Sequence, residues 1–519
     1  MSKKYLIYNF SGELDDISHL FPNERLGRIA AIIKKHGKDV DIIDRANFSD
    51  LMDFGREYME NLGKLSFYDT NKLYESRLNE EAENIVNSNY DVIFLNLWHG
   101  TGFKFSIDLA SLVKKENPNV KIYGVGQKID WFKEHILKLS NNYLDGLITG
   151  LGYNAIEEII LNNEFGNIPN LILCNDGKIK QNGKIPINVD DYPVALYDKN
   201  IYRNVGYKIP IYSVTLSNQA CPNKCVFCIR PENYGRINKA RKTENVLNEL
   251  EQLNSRYGIA HFRIEDSTPP KNSLSELSKA ILGSKLKGKI KLCGFSRVDT
   301  NSGDAFNLLK EAGFVALFFG IESLDDGNLL KLKKGISYEQ INNTIKKVHK
   351  SGIYTVGSFI FPIPGETKES MENTLKRISE LKPYLSSLLV LPAGIYPNTE
   401  WHRNFAQYGI QLDDDYVEKF VIYPIKYLVP LQYWPPSPFK YEIMNKKVEE
   451  VDFKYILNVY KVFLDKVSKE FNIPPIPDYY FLLANLLGKD YVTTTKAIVQ
   501  HMVNRNYPSI KNLFLDFPQ

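Results

Sequence analysis

Cysteine is scarce in this chain, with five in 519 residues. A secreted scaffold held together by disulfides needs a dense, even set, so that class is excluded, and the few thiols fit a reducing compartment. Charge of one sign is also scarce: 65 basic against 61 acidic side chains leave a net +4. So small an excess gives no reason to expect nucleic acid or an acidic membrane surface as a partner. No apolar run approaches the ~20 residues of a membrane span. The opening Met1-Ser-Lys-Lys, followed by a short strand, lacks the apolar core of a secretory signal. A soluble, cytoplasmic protein is the expectation. What remains is ordinary globular composition, 43% hydrophobic and 24% charged, in a chain long enough for roughly two to four domains.

The five cysteines are not scattered. Cys221, Cys225 and Cys228 fall within eight positions, spaced Cys-x-x-x-Cys-x-x-Cys. Pro222 and Lys224 between the first two argue for a loop rather than a buried strand. Thiolates grouped on a loop suit a soft metal or an iron–sulfur cluster. A structural zinc or a closed cluster wants four protein ligands, so three would leave one iron of a four-iron cluster open to an outside molecule. A zinc site completed by a distant histidine and a redox disulfide with a spare thiol fit the spacing as well.

Hydrophobic runs alternate with amphipathic stretches twice along the chain. Apolar segments at 5–8, 39–44, 90–97, 120–126 and 144–150, separated by helical patterns at 21–37, 80–86, 106–115, 131–139 and 153–161, predict a doubly wound parallel sheet over residues 1–165. A polar stretch at 48–78 interrupts it. Ligands of such sheets bind at the carboxyl ends of strands. Those ends carry Ser11, Gly12, Gly124, Gly126, Gln127, Gly150 and Gly152. These glycines either let backbone approach a large ligand or supply the turns any such sheet needs. His99 reads as a loop histidine satisfied by backbone. Residues 166–205 are expected to be a linker with a hairpin turned at Asn175-Asp-Gly, with Cys174 packed in its first strand. Six further strand–helix units between 206 and 402 predict a partial barrel with active groups at the strand ends. Residues 403–519 read as mainly helical, with helices at 453–471, 478–487 and 493–503, capping the barrel and shaping a substrate pocket. The aromatic, proline-broken stretch 420–436 cannot be one helix.

In order along the chain stand Phe21-Pro-Asn-Glu-Arg-Leu-Gly, Gly124-Val-Gly, Gly150-Leu-Gly-Tyr, the cysteine loop with Phe227 before its last thiol, Gly320-Ile-Glu-Ser-Leu-Asp, Leu332-Lys-Lys-Gly-Ile, Phe361-Pro-Ile-Pro-Gly-Glu-Thr and Pro392-Ala-Gly-Ile-Tyr-Pro-Asn-Thr. Over roughly residues 1–400 this combination resembles the B12-type (cobalamin-binding-domain) radical SAM enzymes. The resemblance implies an α/β chain with three parts: a Rossmann-like cobalamin-binding-type domain, a partial (β/α)6 radical SAM barrel and a helical C-terminal domain. The chain departs from the pattern in three places. It has no Asp-x-His-x-x-Gly, which implies cobalamin held without a histidine ligand. It has Gly150-Leu-Gly-Tyr where family members often have Gly-Glu-Gly-Glu, and Asn398 where the closing motif usually has glycine.

The same resemblance implies a [4Fe-4S] cluster on Cys221, Cys225 and Cys228, whose open iron is chelated by S-adenosylmethionine (SAM). Carried over by position, Phe227 touches adenine, and Glu265 and Asp266 receive the methionine ammonium. Arg297 meets the carboxylate, with Ser323 assisting. Glu322 accepts the ribose hydroxyls, and backbone near Phe361 holds adenine. Gly12, Gly124, Gly126, Gln127, Gly150 and Gly152 would contact cobalamin. Cys293 could face the barrel lumen but reads first as a packed thiol. The implied reaction is reductive cleavage of SAM to a 5′-deoxyadenosyl radical that modifies an unactivated carbon. The implied outcome is C-methylation of a small-molecule or peptide substrate in natural-product biosynthesis, with a flavodoxin- or ferredoxin-type external reductant. The competing readings are a cyclase or rearrangement enzyme with or without cobalamin, a methylthio-transferase, and a non-catalytic cobalamin sensor. The second commonly carries extra N-terminal cluster cysteines, and this chain has none before Cys174. The third would need no grip on SAM.

Overall fold

The computed structural model describes residues 3–12, 16–50, 72–98, 100–161, 167–175, 178–185, 187–203, 208–300, 305–422, 434 and 436–515. His99 and most of the stretch 420–436 lie outside these. The chain divides into two compact units: Met1–Pro210 with Asp414–Pro438 and Gln500–Gln519, and Ile211–Asp413 with Phe439–Val499. The residues expected as a separate C-terminal domain are thus shared between the two.

In the first unit β1 (Lys4–Asn9), β2 (Asp39–Asp44), β3 (Val92–Asn96), β4 (Lys121–Val125) and β5 (Gly146–Ile148) run parallel in the order β2-β1-β3-β4-β5. Central strands buried on both faces read as unbroken apolar runs, and Tyr5, Leu6 and Ile7 of β1 are fully buried. The order reverses between β1 and β3, which makes their carboxyl ends the switch point of the sheet. The helix expected at 80–86 spans Lys72–Asn87, because Tyr74, Leu78, Ala82 and Ile85 already form a buried stripe.

The hairpin of the expected linker, β6 (Leu171–Asn175) and β7 (Lys178–Gln181), adds to this sheet antiparallel to β5. β7 is exposed along its length, and its Lys178 and Lys180 protect an open edge from pairing with another strand. The chain after it lies back on the unit. Leu196 N–H donates to Gly27 O at 3.1 Å, and Ile42 N–H to Ile201 O at 2.7 Å. A Cβ on Gly27 would meet Leu196 O at 2.5 Å, so only glycine allows that approach.

The second unit is built on six parallel strands: β8 (Tyr212–Val214), β9 (His261–Ile264), β10 (Lys291–Ser296), β11 (Phe314–Glu322), β12 (Tyr354–Ile360) and β13 (Ser387–Leu391), each beside its sequence neighbour. Helices follow all of them except β13's, which is a short turn at Glu400–Arg403. Two are anchored by capping boxes, Ser337 with Gln340 and Thr367 with Ser370. Helices of the tail pack on this sheet in two places, one of them the end away from the cysteines. The Ser387 hydroxyl donates to Pro474 O at 2.7 Å, His261 meets Asn485 at 3.3 Å, and Tyr354 stacks on Phe481 at 4.6 Å. These three are the first residues of β13, β9 and β12, so Tyr479–Leu486 closes the amino end of the sheet. Phe453–Asp465 covers the edge instead: the Tyr460 hydroxyl donates to Val390 O at 2.9 Å and Phe463 stacks on Phe361 at 3.9 Å.

Candidate active site

The cysteine loop leaves the carboxyl end of β8 and is rooted by Asp266. This carboxylate is fully buried and accepts from the Leu216 N–H and the Ser217 hydroxyl. Farther along, Cys221 N–H donates to Gly235 O at 3.0 Å, Val226 N–H to Leu332 O at 3.2 Å and Trp401 N–H to Val226 O at 3.1 Å. The backbone of Val226, between two of the thiols, therefore clamps the loop to two other segments. Cys221 is buried, with Sγ 3.4 Å from both Thr268 Oγ1 and Asn223 Nδ2. Cys225 and Cys228 are half-buried and border a cavity of ≈ 280 Å³ whose other walls are Thr399 and charged side chains of both signs, Lys224, Arg236, Lys333 and Arg403 with Glu232 and Glu400.

Among the described residues no three His, Cys, Asp or Glu side chains converge on a single ion. A cluster places each thiolate on a different iron, so its ligands stand apart. Burial pushes the Cys225 thiol up, with Lys334 and Arg297 opposing. Burial also pushes Cys228 up to about 12. Three thiols on one loop, with two buried cations acting on Cys225, suit an anionic cluster, and the donor set fits that group.

Arg297 comes from a strand end and Lys334 from the turn after the helix Asp326–Lys331. Arg297 after β10 is buried and grips Asp299 with both arms of its fork, 2.9 and 3.0 Å. Lys334 is 6% exposed and lies 3.0 Å from Glu322 Oε1 at the end of β11. Burial presses the Lys334 ammonium down, but Glu322 and Cys225 more than offset it and leave it raised. Glu322 sits at a register shift in the ladder with φ +71°, a conformation side chains rarely adopt. A Cβ on neighbouring Gly320 would stand 2.8 Å from Glu322 Oε1. Nothing local in Leu332-Lys-Lys-Gly-Ile marks Lys334 for this place.

The other expected SAM contacts divide. Phe227 packs at 5.8 Å from Trp401 and lies 5.8 Å below Lys334 Nζ. Glu265 is partly open, and its Oε1 accepts from Arg263 at 2.9 Å and from the Ser213 hydroxyl at 3.4 Å. Asp266, by contrast, is spent on the loop. Ser323 Oγ accepts from Asp325 N–H at 3.1 Å and touches Thr374, which commits it to the turn after β11. Phe361 is buried, and its N–H donates to Leu391 O at 2.7 Å.

Residues 216–378 match the family model described as the radical SAM superfamily. That match takes in the cysteine loop and strands β9 to β12. It is 28% identical over 301 residues to an uncharacterized methyltransferase of Pyrococcus horikoshii, a match that covers 56% of this chain and 64% of that one. The fold is similar to that of TsrM, a radical SAM methyltransferase from Kitasatospora setae with cobalamin and a [4Fe-4S] cluster bound. The TM-score is 0.65 at 14% identity, over 98% of this chain and 99% of that one. It is also similar to OxsB, a cobalamin-dependent SAM radical enzyme with aqua-cobalamin and SAM bound, with a TM-score of 0.58 at 15% identity, covering 78% and 56%.

The first unit has its own polar cluster at the switch point. Asn9 donates to Asp44 at 2.8 Å and accepts from Asn96 at 2.7 Å and Trp98 Nε1 at 2.6 Å. Each expected glycine has a reason within the fold. A Cβ on Gly12 would meet Gly102 N at 2.8 Å, one on Gly124 would meet Leu147 at 2.8 Å, and one on Gly152 would meet Ile148 at 2.1 Å. Gly126 and Gly150 take positive φ, +119° and +66°. Gln127 is exposed at the start of its helix. Ser11 Oγ is different: it is buried with no hydrogen-bond partner, an orphan that a polar cofactor arm would satisfy.

The buried root of the loop yields a pH prediction for the second unit. Burial raises Asp266 from 3.8 to about 6, against the bonds from Ser217 and Leu216. A raised folded-state value means that this carboxyl's contribution to stability is complete below its unfolded pKa and is lost as pH rises through the folded one. Asp266→Asn has no such dependence. The wild-type advantage over the variant should therefore shrink by about 3 kcal/mol between about pH 3.5 and pH 6.5, read by urea unfolding. A pH-independent difference would mean that the carboxyl titrates alike in the folded and unfolded protein.

Proposed function

We propose that this chain is a cobalamin-dependent radical SAM enzyme that cleaves SAM reductively at a four-iron cluster and methylates an unactivated carbon of a small molecule or peptide. One observation carries the reading. A three-cysteine loop at the carboxyl end of a six-stranded parallel sheet shares a chain with a doubly wound sheet whose switch point holds an orphaned serine, and the whole is similar in fold to a cobalamin- and cluster-bound methyltransferase. When bound, the cluster supplies the electron that opens the sulfonium's carbon–sulfur bond, and cobalamin supplies methyl-carrying capacity.

The chain's own residues grip and orient SAM. Glu265 takes the ammonium on its unoccupied oxygen. Arg297 takes the carboxylate, and its present hold on the half-open Asp299 supports this, since one carboxylate can replace another on the same fork. Glu322, steadied by Lys334, accepts the ribose hydroxyls. Phe227 and the backbone near Phe361 border adenine. Asp266 positions the cluster loop. Ser11, Gly12, Gly124, Gly126, Gln127, Gly150 and Gly152 line the cobalamin end of the first unit. The charged cavity beside Cys225 and Cys228 offers an approach for a flavodoxin- or ferredoxin-type reductant, and a reducing, cytoplasmic setting suits these thiols. Among the described residues no helix is long and apolar enough to cross a membrane.

Anaerobic reconstitution with iron, sulfide and cobalamin, followed by mass spectrometry of turnover mixtures, tests this. Both 5′-deoxyadenosine and S-adenosylhomocysteine are expected once substrate is present. A protein that cleaves SAM but never retains cobalamin or forms S-adenosylhomocysteine would remove methylation and leave the cyclase or rearrangement reading.

A further inference from the structure

Three residues in the barrel lumen form a chain of contacts that the reading above does not use. Arg263 on β9 is buried, with its guanidinium flanked by the rings of Phe295 and Tyr479 at 4.7 and 5.0 Å. Its Nε and one terminal nitrogen donate to the two oxygens of Asp478, at 3.1 and 2.8 Å. Its remaining nitrogen donates to Glu265 Oε1 at 2.9 Å. Asp478 is fully buried at the start of Tyr479–Leu486, the helix that closes the amino end of the sheet, and the Cys293 thiol lies against it. The guanidinium fork is planar and rigid, so whichever carboxylate takes its paired nitrogens fixes where the last one points.

We propose that Asp478 is a positioning residue for SAM, acting through Arg263 to keep one oxygen of Glu265 free for the methionine ammonium. The inference rests on the assignment of Glu265 to that ammonium. While Asp478 occupies the paired nitrogens, only one is left for Glu265, which engages Oε1 and leaves Oε2 open. Without Asp478 the buried cation has a single carboxylate within reach. The fork turns onto Glu265, takes both oxygens, and removes the acceptor that the ligand needs. A residue more than 200 positions away in sequence thereby sets the selectivity of a strand-end carboxylate.

The test uses the full chain with its cluster reconstituted, under conditions without turnover. Dissociation constants are measured by equilibrium dialysis for SAM and for the analogue in which hydrogen replaces the α-amino group. Wild type should favour SAM by roughly tenfold or more, as a charge-assisted hydrogen bond implies. Asp478→Asn should bring that ratio close to one through weaker SAM binding, with analogue affinity and cluster absorbance unchanged. Arg263→Lys, whose compact ammonium stays with the buried Asp478 and cannot take both oxygens of Glu265, should instead keep the ratio, and it decides the matter if the first variant does not fold. A preserved ratio in folded Asp478→Asn overturns the inference, as does a lost one in Arg263→Lys. So does an equal loss for both ligands, which marks general damage to the pocket. A wild type indifferent to the amino group is a separate outcome, and it removes Glu265 as the ammonium's partner.

Discussion

Cys225→Ala should lower 5′-deoxyadenosine formation by at least ~10³-fold, because the loss of one member of a catalytic unit costs about as much as the loss of all. The fold should survive. The loop is clamped through the backbone of Val226, with partners at Leu332 and Trp401, and through the Cys221 N–H on Gly235. None of these bonds involves the Cys225 side chain. Cys225 is also the thiol faced by both cations, Lys334 and Arg297, so its loss leaves that positive pair without the charge it opposes. Cys221 is a poorer choice for this test, since its sulfur contacts Thr268 and Asn223 and its removal disturbs packing as well as ligation. Chromatography of dithionite-reduced, reconstituted protein measures the product, and circular dichroism checks the fold. An intact cluster with unchanged SAM cleavage in the variant would sink the cluster assignment.

The two sheets were legible because strand–helix alternation is written in local hydrophobic periodicity, and the cysteine spacing because a ligand loop is contiguous. Pairings across long separations were not. Lys334 sits in a surface-type Lys-Lys-Gly run, and nothing local marks it for burial against Glu322. Asp478 opens an aromatic helix, and its bond to Arg263 spans 215 residues. Asp266 was legible in principle. Successive side chains at a strand end point to opposite faces, so Glu265 and Asp266 cannot both face one ligand, and the structure gives the open side to Glu265. The glycines illustrate the converse. Gly12 and Gly124 are demanded by neighbouring backbone and leucines, while the more suggestive group, the orphaned hydroxyl of Ser11, has no sequence signature. The tail misled for a related reason. Its helices were recognisable, but only their tertiary partners His261, Tyr354 and Ser387 reveal that one of them closes the end opposite the cysteines.

Lys334→Met should destabilise the protein by about 3–5 kcal/mol, the usual cost of stripping one partner from a buried ion pair. Both members are nearly inaccessible, with side chains 7% and 9% exposed, and they meet at 3.0 Å. Glu322 cannot retreat to solvent, because it is held at a register shift with φ +71° and packs against Gly320. The variant therefore leaves a buried carboxylate without its cation. Removing both charges, as Lys334→Met with Glu322→Gln, should recover much of the loss, since a well-packed neutral pair avoids the desolvation penalty of two ions. Urea unfolding of the two single variants and the double variant measures this, and a coupling energy near zero would show that the pair is not a unit. Spectroelectrochemical titration gives a second readout. Lys334 also faces the Cys225 thiol, so its loss withdraws positive charge from beside the cluster. Reduction adds negative charge there, which a nearby cation favours, so the midpoint potential should become more negative in Lys334→Met than in wild type. Lys334→Arg keeps the charge and should keep the potential while losing part of the stability, because a forked guanidinium does not fit a pocket shaped for an ammonium.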